Sequence, residues 1–188
     1  MTTTVLLIMA GILSRLIPHP DNMVPLGAIA LYAAARLPRQ WAIVVPLAVL
    51  LLSDVIIDMG HGYPFHFTPR LTTYAAFTLI VAFGWLAPKN AGMFTRFGMA
   101  ISASTLFFLL SNFAVWVSGG GYAYAMTFGG LASTYAVALP FYHNSLIADV
   151  LGTGVLFGLD ALLRREPQPL PAVAVAVAVA AEADPNRP

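Results

Sequence analysis

Six polar residues sit inside otherwise apolar stretches and could form one site: Arg15, Asp54, Asp58, Asn112, Asn144 and Asp149. Carboxylates, a guanidinium and amides at one level of a greasy bundle can either lock helices as ion pairs or hold a small polar solute. Both uses require company, because an ionisable side chain in a membrane costs roughly 2.5 to 3.5 kcal/mol on insertion scales. Asp54 and Asp58 stand four residues apart, so one helical face presents both carboxylates. Arg15 is assigned to Asp54 as a structural ion pair. Arg15 and Arg70 face three carboxylates, Asp54, Asp58 and Asp149, which leaves at least one to take a proton or a bound partner.

The segments between the apolar runs add groups of the same kind. Residues 59–67 read M-G-H-G-Y-P-F-H-F and carry His61 and His66; Tyr142 and His143 precede Asn144; His19, Asp21 and Asn22 occupy the first loop. The candidate solute-binding set is therefore Asp58, His61, His66, Asn112, Tyr142, His143, Asn144 and Asp149. Asp58, His61 and His66 could converge on a metal, but their spacing is no defined ligand motif, and no metal or other cofactor is assigned. Tyrosines and Trp85 and Trp116 also fit the aromatic belt of any membrane protein, and Asn144 also fits a helix N-cap. There is no G-x-S-x-G elbow, no H-E-x-x-H pair and no cysteine, so an enzyme is not expected. The inner half of the bundle holds little beyond Asp160, which describes a cup rather than a channel.

The elements that must position these residues follow from composition. With 59% hydrophobic and 9% charged residues and a mean hydropathy of +0.81, the 188-residue chain cannot cover a water-facing surface. The expected fold is an all-α integral membrane protein of six transmembrane helices with both termini cytoplasmic. Punctuation by Pro and Gly bounds the helices at about 3–17, 25–37, 38–58, 68–87, 91–117 and 144–164. The apolar stretch 126–139 is expected to be a re-entrant or interfacial half-helix before the sixth. Basic pairs decide the orientation: Arg36 with Arg39, Lys89 with Arg96, and Arg164 with Arg165 all fall on one side if 126–139 does not cross. Residues 1–165 form the membrane domain, and 166–188, Pro-rich and then alternating Ala and Val, a low-complexity tail. A formal charge of +1 offers nothing to nucleic acid.

The runs R15-L-I-P-H-P-D-N-M-V-P-L-G, L51-L-S-D-V, S111-N-F-A-V-W and Y142-H-N-S-L-I-A-D-V resemble an uncharacterised family of small bacterial membrane proteins. That family is similar in layout to the substrate-binding S components of energy-coupling-factor (ECF) vitamin transporters. The resemblance implies a multi-pass protein of the cell inner membrane that binds a vitamin-like small molecule near the outer face. It also implies a partner membrane subunit driven by ATPases, docked on small-residue faces such as Ala28, Ala30, Ala33 and Ala34, or Gly154 and Gly158. The alternative is a structural or accessory membrane protein whose polar layer only locks helix packing.

Overall fold

The computed structural model describes residues 2–88, 90–119, 121 and 123–164. Lys89, Gly120, Tyr122, Arg165 and the 166–188 tail, with the expectations attached to them, lie outside the described residues. Those described form six helices: α1 (Thr2–Leu16), α2 (Leu26–Arg36), α3 (Arg39–Gly60), α4 (Leu71–Gly84), α5 (Met93–Ser118) and α6 (Phe128–Leu163). A 3-10 turn, Thr68–Arg70, leads into α4, and no strand occurs among the described residues.

Helices α3, α5 and α6 are long and apolar enough to cross a membrane. Helix α5 buries only Ala100, Ala103 and Ser104, yet its outer surface is Ile101, Leu109, Phe113 and Val115. A long helix that leaves so many apolar side chains uncovered by protein suits lipid around it. The chain is a membrane protein. The other helices are short: 15, 11 and 14 residues for α1, α2 and α4, or roughly 16 to 22 Å at 1.5 Å per residue.

The largest departure from the sequence expectation lies in α6. Residues 128–139 form no separate half-helix; they run straight into the sixth helix, giving 36 continuous residues with Pro140 inside. Pro140 removes one backbone bond, a loss that helices packed in a bundle tolerate. The extension lies antiparallel against the second half of α5, where Tyr135 donates from its hydroxyl to the Leu109 carbonyl at 2.8 Å and packs against Phe108. Asn144 is consequently mid-helix and not an N-cap; the cap is Thr127, which accepts from the Gly130 N–H.

Helix α2 is the axis of the bundle, buried without a break from Leu26 to Ala33. Its small residues allow close approach of its neighbours, as in other membrane interfaces. A Cβ on Gly84 of α4 would lie 2.6 Å from the Ala34 Cβ, and one on Gly152 of α6 would lie 2.5 Å from the Pro25 Cβ. Ala28, Ala30 and Ala33 are fully buried by this packing, so they form internal contacts and present no free docking face. Gly158, by contrast, has open space beside it.

A short central helix must have both ends satisfied inside the bundle, and α6 meets that need with two buried aspartates. Asp149 and Asp160 are eleven residues apart, about three turns, and so lie on the same face. Asp149 accepts from the Ala28 N–H at the start of α2 (3.0 Å), where a carboxylate complements the helix dipole. Asp160 sits at the other end and accepts from the Tyr32 hydroxyl (2.8 Å), Arg36 Nε (2.9 Å) and Arg164 Nε (2.7 Å). Asp160, the polar residue that the sequence singles out at that end, is thus a structural centre.

Candidate functional site

At the start of α2 the bundle gathers its remaining buried charge. Asp54 projects from α3 in the turn where Ser53 bonds back to the Val49 carbonyl, and it is 7% exposed. It accepts from Arg15 Nη2 at 2.6 Å and the Tyr74 hydroxyl at 2.9 Å, and Arg70 Nε makes an ion-pair contact with it at 3.1 Å. One turn on, Asp58 receives Arg70 Nη2 at 2.8 Å on both oxygens. Arg70 also donates to the His66 carbonyl at 2.7 Å. Two arginines against two aspartates make this network neutral, and it ties α1, α3 and α4 together.

Asp149 is the carboxylate left over. It is 5% exposed and held by the Ala28 N–H and the Ser104 hydroxyl (2.6 Å); among the described residues it has no cation within 4 Å. Gly27 is required beside it, because a Cβ there would overlap Asp149 Oδ2. Such a carboxylate offers about four lone-pair directions, of which these donors occupy only part.

Asp149 and Arg15 line one cavity of about 230 Å³. Its polar rim is His19, Asn22, Thr73 and Ser145, and its walls include Leu26, Leu50, Ile57, Phe77 and Phe107. Among the described residues Arg15 Nη1 is buried without an acceptor. A second cavity of about 220 Å³ adjoins it, sharing Asn22, Phe107 and Ser145 and reaching Asn112 and Tyr142. The first loop is pinned over this region. Asn144 Nδ2 donates to the Asp21 carbonyl (2.9 Å) and Ser145 to the Asn22 carbonyl (3.2 Å), while Asn22 takes φ 59°, a left-handed turn conformation that asparagine tolerates.

The candidate residues therefore divide. Asp149 lines the first cavity; Asn112, which donates to the Phe108 carbonyl, and Tyr142, which shares a hydrogen bond with Thr105, line the second. Asp58 and His66 border a wide surface depression with Tyr63, Pro64 and Arg70. His61 bonds the Ile57 carbonyl and stacks on Tyr63 in the exposed loop, and His143 is exposed; neither borders these cavities. Asn144 acts on the loop. Among the described residues no three metal-ligating side chains cluster. Sequence reasoning misses Ser104, Ser145 and Gly27. Ser145 follows the candidate Asn144, but a serine and a glycine in apolar helices carry no signal until their neighbours are known.

No curated protein and no solved structure matches the chain. One family profile does, over residues 1–173, and on that extent the chain belongs to DUF6580, a family of unknown function.

Proposed function

We propose that this protein binds a small, vitamin-like solute in the Arg15–Asp149 cavity and serves its uptake across the cell inner membrane, in the manner of an ECF transporter S component. One observation carries the reading: Asp149, buried and without a cation among the described residues, lines the same apolar-walled cavity as Arg15, whose Nη1 has no acceptor among them. Solute pockets combine apolar walls with a few convergent polar groups in this way. The matching ligand presents a cationic or donor group to Asp149, an acceptor to Arg15 and an apolar body to Phe77 and Phe107. Binding and alternating access need no covalent step, and energy would come from a partner membrane subunit with ATPases.

Native mass spectrometry of the full chain released from its own membrane should show a small molecule bound. Asp149→Asn and Asn22→Ala should lower its occupancy at least tenfold, whereas Tyr63→Ala in the outer loop should not. The complete matching of Asp54 and Asp58 by Arg15 and Arg70 favours the alternative, a structural or accessory protein whose polar layer is a lock. That alternative stands if no cavity variant loses ligand without an equal loss of melting temperature.

The same proposal has six crossings, both termini cytoplasmic and the Arg15 end outside, on the strength of the basic pairs at the other end. Cysteines introduced at Gln40, Asn90 and Gln168 should resist an impermeant thiol reagent in intact cells, and one at Tyr63 should react. The reverse pattern would invert the protein and place the cavity on the cytoplasmic side.

A further inference from the structure

The end of the bundle opposite the proposed solute cavity holds a further cavity, of about 250 Å³, between the end of α2, the starts of α3 and α5, and the end of α4. Three arginines from three different segments line it: Arg36, Arg39 and Arg96. Arg36 is engaged by Asp160, with Nε at 2.9 Å and Nη2 at 2.8 Å. Arg39 and Arg96 have no carboxylate within 4 Å among the described residues. Instead they are held by aromatic faces: Arg96 lies 3.9 Å from the Phe157 ring centre and Arg39 lies 5.2 Å from that of Trp85. Arg96 Nε is further fixed on the Ala91 carbonyl at 3.0 Å. Stacked in this way, guanidinium groups keep their remaining N–H donors oriented and lose little freedom on binding an anion.

A second, independent feature points the same way. Trp85 lines this cavity, and among the described residues its indole Nε1–H is buried with no acceptor. An indole N–H is only a donor, and left unpaired in a buried position it costs stability until an acceptor arrives. The remaining walls, among them Leu31, Ala34, Met99 and Phe157, are apolar. The cavity therefore combines unmatched positive charge, an unmatched donor and a greasy wall.

We infer that this cavity is an anion site for a phosphate group, held by Arg39, Arg96 and the Trp85 N–H. A phosphate presents an oxygen to each of the three at once, and arginine suits it through its forked donors. The phosphate could be carried by an acidic phospholipid whose tail lies along the apolar wall, or be free in solution; the chemistry at the arginines is shared. This site is separate from the proposed solute cavity and stands or falls without it.

The test uses the full chain in a neutral detergent. Melting temperature is followed against phosphatidylglycerol, phosphatidylcholine and, separately, inorganic phosphate. With a lipid source, phosphatidylglycerol raises the melting temperature saturably and phosphatidylcholine does not; with a soluble source, inorganic phosphate does so at millimolar concentration and phosphatidylglycerol adds no more than phosphatidylcholine. In either case Arg39→Gln and Arg96→Gln should raise the half-saturating concentration tenfold or more. Trp85→Phe should raise it about threefold to tenfold; because this change keeps every charge, it separates a built site from diffuse attraction. Arg39 is exposed, so its variant folds even if Arg96→Gln does not. The inference is overturned if neither phosphatidylglycerol nor phosphate protects more than phosphatidylcholine, or if Trp85→Phe and Arg39→Gln titrate as the wild type does.

Discussion

Asp54→Ala should be the most damaging single substitution in the protein. It removes the one acceptor shared by Arg15, Arg70 and Tyr74. Arg70 retains Asp58, but Arg15 is left with no partner among the described residues, its Nη1 already lacking one there. Stripping a buried charge of its partner costs about 3 to 5 kcal/mol, more than any surface change, because the penalty is that of an uncompensated ion. Arg15→Ala should cost clearly less, since Asp54 then keeps Arg70 and Tyr74. Asp54→Asn should fall between, as it preserves one acceptor oxygen. Melting temperature or resistance to denaturing detergent gives the ranking. If Asp54→Ala is no worse than Ser102→Ala, which deletes only an exposed hydroxyl bonded to its own helix, the charge network contributes nothing to the fold.

The second large effect comes from a glycine. Gly27→Ala should unfold or loosen the start of α2, because the new methyl would overlap Asp149 Oδ2 and push the carboxylate off the Ala28 N–H and the Ser104 hydroxyl. Each buried group so stranded costs about 1 to 3 kcal/mol, so a loss of at least about 2 kcal/mol follows. Gly158→Ala makes the same chemical change on α6, where open space surrounds the added methyl. That variant should be neutral, or stabilising by about 0.5 to 1 kcal/mol through helix propensity. Thermal melts of the two variants side by side make the comparison. Gly27 and Asp149 should also fail to act independently. With Asp149 already replaced by alanine, Gly27→Ala has nothing to strike, and its remaining cost should shrink by more than half. Additive losses would mean that the two residues do not touch.

Much of this architecture is legible from residue types alone. Composition requires lipid, and Pro38 and Gly119 stand directly beside helix ends in the structure, whereas α4 stops at Gly84, short of Pro88. Arg15 and the Asp54–Asp58 pair can be brought to one region because charges at this cost seek one another. What escapes are relationships that no local pattern encodes. Pro140 and Asn144 carry the marks of a helix boundary, yet contact with α5 carries α6 through both. Asp149 counts as surplus charge, but its partners are a backbone N–H and a serine hydroxyl, and neither shows in a count of charges. Asp160 looks isolated because Tyr32 and Arg36 lie more than a hundred residues away in the chain.

The two aspartates on α6 also act as a ruler. They grip the two ends of α2, so the length of that helix is tied to the interval between Asp149 and Asp160. Inserting or deleting one residue in either would shift one end by about 1.5 Å and rotate it by about 100°, so that only one aspartate could stay engaged. Across the family, gaps should therefore fall in the connections 61–67 and 119–127 and be absent from 26–36 and from 149–160. Descendants of this chain can drift in loop length, but the central helix can change only by exchange of one residue for another.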